Sequence, residues 1–270
     1  MSKRRRQGVR TIFNGILNIH NQVDKPYVPI VGSSLNELYN IPSLLTSSPY
    51  SIGHFIIGLQ PYDINNGGYV DLGLKEHQCY DGNVYTPIPI FMKRTTETIT
   101  TLERSTYKLF TTKRYNNIDY YVAYAKRLED IESIGNPSWI THDVTNGYDL
   151  FALESRDLDY LNPTVIDETL TYPDVLKYIS YSLELSLTLT EEELINIRSY
   201  IDIIYPTRTG TSKYTISEVG LLQSQHVSLD STVEIYNSQV AYFTYLSMKD
   251  MVGNNIELSI EIGDMSPVQV

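Results

Sequence analysis

Five histidines, His20, His54, His77, His142 and His226, and a single cysteine, Cys79, are the residues best suited to metal or nucleophilic chemistry. Only His77 and Cys79 are close, as an H-x-C pair. A tetrahedral metal site needs four such ligands, and no second pair follows. The acidic stretches Asp143 to Asp149 and Asp157-Leu158-Asp159 lack the D-x-D-x-D-G spacing and terminal Glu of a calcium loop, so they read as solvated surface. Ser217 does not stand in a G-x-S-x-G elbow, and neither a Walker loop nor a G-x-G-x-x-G stretch occurs. The expectation is a non-enzymatic protein without cofactor or metal.

The charged residues point to contact rather than to catalysis. With 21 basic and 32 acidic residues the net charge is −11, yet Lys3, Arg4, Arg5, Arg6 and Arg10 lie within the first ten positions with no acid among them. A basic arm on an acidic body suits an acidic partner surface, such as a second copy of the chain. A solvated or targeting tail is the competing reading. Interleaved basic and aromatic pieces such as Tyr107-Lys108 and Lys113-Arg114-Tyr115 are few and short on a strongly acidic body, so nucleic acid is expected to meet the arm at most.

Tyrosine is the compositional outlier, with 23 of 270 residues against 6 Phe and 1 Trp. Its ring covers apolar area while its hydroxyl stays paired or wet, which favours pleated surfaces and interfaces; compositional drift is the alternative explanation. Tyr120, Tyr121 and Tyr124 are therefore the candidate contact residues of the middle segment. One cysteine excludes an intramolecular disulfide. Asn14, Gly15, Asn18, His20 and Asn21 interrupt any signal-like run after the arm, and no apolar run reaches the roughly 18 residues of a membrane span. No export signal and no membrane contact are expected.

The elements that must position these residues follow from periodicity. Val9, Ile12, Phe13, Ile16 and Leu17 have the spacing of an amphipathic helix over 9–22. Pro26, Pro29, Pro42, Pro49 and Pro61 leave room only for an extended, surface-following segment with a short helix at Leu35 to Tyr39 and a buried strand at His54 to Leu59. Asn65-Asn66-Gly67-Gly68 predicts a turn, Pro87-Ile-Pro89-Ile an edge strand, and Thr95 to Thr101 and Tyr107 to Thr112 further strands. Ile118, Tyr120, Val122 and Tyr124 alternate along another strand after a turn at Asn116-Asn117. Leu128 to Ile134 reads as a short helix, and Ser138 to Asp174 as an irregular acidic connection.

In the last third, Ile179 to Leu189 alternates as a one-faced strand. Thr190 and Glu193 then form a capping box that opens a helix ending before Pro206. Thr207 to Lys213 is a polar loop. Strands follow at Tyr214 to Leu222, Val240 to Met248 and Asn255 to Ile262, with a long excursion from Gln223 to Ser238. The expected fold is mainly β with a few helices (α+β): an arm, helix and extended segment over 1–61, a β-rich middle over 62–174, and an antiparallel, sandwich-like module over 175–270.

Ile216-Ser217-Glu218-Val219-Gly220-Leu221 resembles a module of tailed-bacteriophage tail and baseplate structural proteins. There, I-[ST]-E-[IVA]-G-L precedes a strand, an apolar segment, a Lys-containing turn and a closing L-x-[IV]-x-[WI] strand. Val240 to Met248, Lys249-Asp250 and Ile256 to Ile262 match these later parts in order, with Ile260 and Ile262 in place of a closing aromatic. The resemblance spans Thr211 to Ile262 and implies a virion structural protein. Such a protein is present in several copies in the tail, baseplate or neck, and its partners are other virion proteins and copies of itself. Read without the family, Gly220 permits a bulge or a close approach, and Glu218 turns inward to a backbone group or a Tyr hydroxyl; an ordinary solvent-facing Glu218 is the alternative. The runner-up function is a carbohydrate-binding or host-recognition module, in which exposed Tyr and Trp139 stack on sugars.

Overall fold

The computed structural model describes residues 8–22, 34–42, 48–65, 68–73, 75–128, 130–131, 138–143, 147–152, 175–209, 211–229, 232–250 and 255–267. The chain begins with β1 (Gly8–Arg10), α1 (Ile12–Gln22), α2 (Leu35–Leu38) and β2 (Tyr50–Leu59). The pair β3 (Tyr62–Asn65) and β4 (Gly68–Asp71) precedes β5 (Thr86–Ile88), β6 (Phe91–Arg94), α3 (Thr101–Thr106), β7 (Tyr107–Tyr115) and β8 (Ile118–Arg127). Next come β9 (Asp130–Ile131), β10 (Ser138–Asp143), β11 (Gly147–Ala152), β12 (Val175–Leu189) and α4 (Glu191–Ile204). A 3-10 turn at Thr211–Tyr214 leads into β13 (Thr215–Leu229), β14 (Thr232–Asp250) and β15 (Ile256–Pro267). The fold is mainly β with a few helices, in antiparallel sheets.

Two units divide the chain: Met1–Leu128 with Thr188–Ile256, and Glu129–Leu187 with Glu257–Val270. The three breaks fall after Leu128, Leu187 and Ile256, away from the compositional boundaries near residues 61 and 174. The reason is β2, which pairs with β13 along one edge and with β5 and β8 along the other, tying residues 50–59 into the sheet of the first unit.

That sheet has eight strands in the order β1-β14-β13-β2-β8-β6, with β5 against β2 and β7 against β8. Its longest pairing is β13 with β14, which continues through the expected excursion to Leu229 opposite Thr232. Polar residues persist as strand here because they pair inside the protein. Asn14 donates to Gln223 Oε1 at 3.0 Å, Ser224 Oγ to Ser238 Oγ at 2.8 Å, and Asn237 Nδ2 to Gln225 Oε1 at 2.7 Å. Asn237 has φ of 52° at the register shift between Gln223 and Gln225, a left-handed conformation that Asn tolerates.

Among the described residues before β2, β1, Thr11 and α2 cover the edge of β14 that faces away from β13. Gly8–Arg10 pairs with Tyr242–Thr244, and Thr11 donates its backbone N–H to Ala241 O and its hydroxyl to Val240 O. Fully buried Asn36 donates to Ile235 O at 3.1 Å and accepts from Ser238 N at 2.8 Å, occupying the groups that a further strand would take. Val9 belongs to β1, so the amphipathic helix starts at Ile12 and buries Phe13 and Leu17.

Other expectations divide by their local chemistry. The Asn116-Asn117 turn is present, with φ of 48° and 62° between Tyr115 and Ile118. The capping box at Thr190 and Glu193 is present at the start of α4, which buries Leu194, Ile197 and Ile201. Thr95–Thr100 does not form a strand. Thr100 and Glu103 make a second capping box that starts α3. No helix occupies the described part of 128–134: Asp130–Ile131 pairs with Leu185–Ser186 as β9. In the acidic connection, β10 and β11 form a hairpin from Ser138↔Ala152 to Asp143↔Gly147, and residues 153–174 lie outside the described residues.

The second unit holds a five-stranded sheet ordered β11-β10-β12-β15, with β9 against β12. The regular alternation of β12 thus serves this sheet. The C-terminal strands expected to form one module belong to two sheets, since β13 and β14 pair with β2 and β1. Among the described residues, no helix is long and apolar enough to cross a membrane.

Candidate functional site: a carboxylate-clamped histidine behind a tyrosine-lined cleft

The ISEVGL stretch lies in β13, an internal strand, with Ile216, Ser217, Glu218 and Leu221 all buried. A register shift between Ile216 and Glu218 appears against both β14 and β2, so the bulge sits in the middle of the sheet. Glu218 stands opposite Gly58 on β2 and Tyr245 on β14. A Cβ on Gly58 would lie 2.5 Å from Glu218 Oε1 and 2.8 Å from Val84 Cβ, so the absence of a side chain there makes room for the carboxylate. One on Gly220 would meet Ile56 Cγ1 at 3.0 Å and Val240 Cγ1 at 3.2 Å, a close approach of neighbouring side chains.

Glu218 is 2% exposed and makes two contacts that hold the segment between β4 and β5. Its Oε1 accepts the backbone N–H of Tyr85 at 2.6 Å, and its Oε2 faces His77 Nε2. On the other side of the imidazole, Nδ1 faces Asp81 Oδ2 at 3.1 Å. Asp81 also accepts the backbone N–H of Gln78, closing the turn that carries His77. The His77 backbone N–H donates to the Tyr245 hydroxyl.

The rings extend this arrangement to the surface. His77 stacks on Phe243 with centroids 3.7 Å apart and planes at 6°, and on Tyr85 at 4.4 Å and 22°. Two rings this close cannot share one face of an imidazole, so His77 is sandwiched between fully buried Phe243 and Tyr85, which is 40% exposed. Burial, followed by the Asp81 and Glu218 charges, raises the Tyr85 phenol above its ordinary range. Its hydroxyl donates to Glu76 O at 2.9 Å. Tyr85 then lines a cleft of about 790 Å³ together with Pro61, Asp63, Leu72, Lys75, Thr86, Pro87 and Tyr205.

Both nitrogens of His77 are engaged and the residue is 4% exposed, so no lone pair is presented to a substrate. The two carboxylates sit at opposite nitrogens and do not converge on a point. Among the described residues no group of three or more His, Cys, Asp or Glu is placed to hold a metal ion, and Cys79 is exposed. The arrangement clamps the 75–85 segment to the sheet.

Two further buried polar clusters stabilise the first unit. Glu193 Oε2 accepts from Lys126 Nζ at 2.9 Å and Oε1 from the Tyr107 hydroxyl at 2.6 Å, while Lys126 also donates to Thr188 O. Burial alone would raise the Glu193 carboxyl, but these donors hold it below its ordinary value. His54, 3% exposed, lies 5.3 Å from the His226 ring and has no hydrogen-bond partner at either nitrogen among the described residues. Burial, then the neighbouring His226, Lys108 and Arg127, pushes it down to about 3.

The candidate residues from the sequence separate accordingly. Lys3, Arg4, Arg5 and Arg6 lie outside the described residues, and Arg10 is exposed with its Nε donating to Asn14 Oδ1 at 2.8 Å. Tyr120 and Tyr124 are core residues, not an outer contact surface. They are 8% and 6% exposed, and Tyr124 stacks on Tyr39 at 4.1 Å; Tyr121 is half-buried. Their alternation with apolar residues marks one face of β8, and that face meets the core. The side chains of His20, His142 and Trp139 lie outside the described set.

A family model described as "Family of unknown function (DUF7208)" matches residues 1–270. The chain belongs to the DUF7208 family. Comparison with curated proteins and with solved structures found no match. In this DUF7208 chain, Glu218 could be flagged from sequence as an acid inside an apolar strand pattern. His77 could not, because the two meet across 141 residues of chain.

Proposed function

We propose that this DUF7208 chain is a non-enzymatic structural component of a tailed-phage virion, assembled in the host cytoplasm in several copies in the tail, baseplate or neck and bridging neighbouring proteins. The observation that carries this reading is the adjacency of two of the segments that bear the resemblance, the closing strand Ile256 to Ile262 lying in the other sheet. Ile216 stands opposite Lys249 and Gly220 opposite Phe243, so the hexapeptide and the strand that ends in Lys249-Asp250 are neighbours in one sheet. Glu218 and Gly220 serve there as folding devices, which suits a module defined by its architecture. The basic residues Lys3 to Arg6 supply complementarity to the acidic body of a neighbouring copy.

Immunogold labelling of purified particles with antibody to the chain tests this directly. Gold on the tail, baseplate or neck is the expected result, and unlabelled particles would overturn it. A second reading, saccharide recognition, is favoured by one specific observation, the Tyr85 cleft.

A further inference from the structure

The geometry points to the cleft at Tyr85 as a binding site for a neutral saccharide. Its volume, about 790 Å³, falls in the range of about 300 to 1,000 Å³ typical of small-molecule sites. A saccharide ring presents a C–H face and a rim of hydroxyls, so its receptor needs an aromatic face held still and a few polar groups beside it. Tyr85 is such a face. One side of the ring is backed by His77 and Phe243, the backbone N–H is tied to Glu218, and the hydroxyl is tied to Glu76 O. A ring fixed in advance loses little further freedom on binding.

The polar groups and the charge narrow the ligand. Asp63 and Lys75 bring one acid and one base to the wall, so its own charge is balanced, and the −11 of the chain as a whole disfavours an anionic ligand. Tyr205, Leu72 and the two prolines complete an amphipathic lining. An added peptide strand fits less well. Pro87 lies in β5 and Pro61 lies beside it in the wall, and neither has the N–H through which such a strand would pair. This inference depends only on the cleft: a chain absent from virions that still bound a saccharide here would sink the virion reading and leave this one standing.

The test probes the full chain against an array of neutral hexose and N-acetylhexosamine oligosaccharides, with acidic oligosaccharides and a proline-rich peptide printed alongside. Hits are titrated by calorimetry. Binding to at least one neutral oligosaccharide is expected, weakened about tenfold or more by Tyr85→Ala and changed little by Tyr85→Phe, which keeps the ring. Leu72→Asp and Lys75→Ala alter exposed side chains, so they report on the cleft if Tyr85→Ala perturbs folding; both are expected to weaken the same hit. No neutral oligosaccharide bound at millimolar concentration would overturn the inference. So would binding that survives Leu72→Asp and Lys75→Ala unchanged, or binding confined to the acidic sugars or the peptide.

Discussion

Glu218 Oε1 accepts the backbone N–H of Tyr85 at 2.6 Å from inside the eight-stranded sheet, across 133 residues of sequence. The bond joins the bulged strand β13 to the segment that forms the cleft wall. The same carboxylate holds His77, so one acid sets both the backbone and the ring beneath the wall.

Removing that acid should be costly. Glu218→Ala leaves the Tyr85 N–H and the His77 ring without their buried partner and is expected to lower stability by about 3 kcal/mol. Glu218→Gln retains an acceptor and should lose less. Gly58→Ala forces a methyl against Glu218 and Val84 and should cost about 2 kcal/mol. Urea unfolding followed by circular dichroism measures all three; a Gly58→Ala variant as stable as the natural chain would remove the packing argument.

Lys126 and Glu193 form a pair 3% and 12% exposed at the side chain. Lys126→Ala is expected to destabilise by about 3 to 5 kcal/mol, since it strands a buried carboxylate. Tyr107→Phe removes one hydrogen bond to a charged acceptor and should cost about 2 kcal/mol. A Lys126→Met, Glu193→Leu double variant should recover much of the loss. A double-variant loss equal to the sum of the Lys126→Met and Glu193→Leu single losses would contradict the pairing, as read by a double-mutant cycle.

The acid limb of stability should carry the signature of His54. Its folded-state pKa lies below the ordinary 6.5, so the unfolded chain takes up a proton that the folded chain refuses. The stability is present above about pH 6.5 and falls with decreasing pH toward 3, by about 1.4 kcal/mol per unit for this group over the span between. Unfolding free energies of the natural chain and His54→Gln at pH 7.5, 6.0 and 5.0, chosen as roughly spanning that window, should diverge in slope. Parallel slopes would show that His54 titrates normally.

Asn36 tests the covered edge of β14. Asn36→Ala exposes the Ser238 N–H and the Ile235 carbonyl and is expected to cost about 2 kcal/mol. Hydrogen exchange by mass spectrometry should show faster exchange in the peptide holding Ser238, and unchanged protection there would argue against the cap.

Much of this architecture is legible where local chemistry and final environment agree. The alternation of β12, the Thr190 and Glu193 capping box and the Asn116-Asn117 turn all act within a few residues, so the same residues specify the same element in any context. The strands through Gln223 to Ser238 are not legible. Their amides and hydroxyls look like loop until Asn14, Asn18 and Asn36 arrive from the N-terminal segment to pair them. Thr95 to Thr101 misleads in the opposite sense, since its β-branched content suggests a strand while Thr100 and Glu103 start a helix.

The candidate site was legible only in half. Glu218 and Gly220 stand out inside an apolar strand, and the inward turn of Glu218 toward a backbone group follows from the cost of an unpaired buried acid. His77, Asp81 and Tyr85 come from a segment with no periodicity, brought to Glu218 by strand order alone. The tyrosines of β8 stand out by count, but tyrosine composition does not distinguish a core face from an outer one.

Quantitative mass spectrometry of density-purified particles of a phage whose genome is found to encode the chain tests the proposed virion role most directly. The account predicts peptides from this chain in the purified particles, in several copies per particle and in constant ratio to the other virion proteins. Peptides confined to the infected-cell lysate and absent from the particles would contradict it.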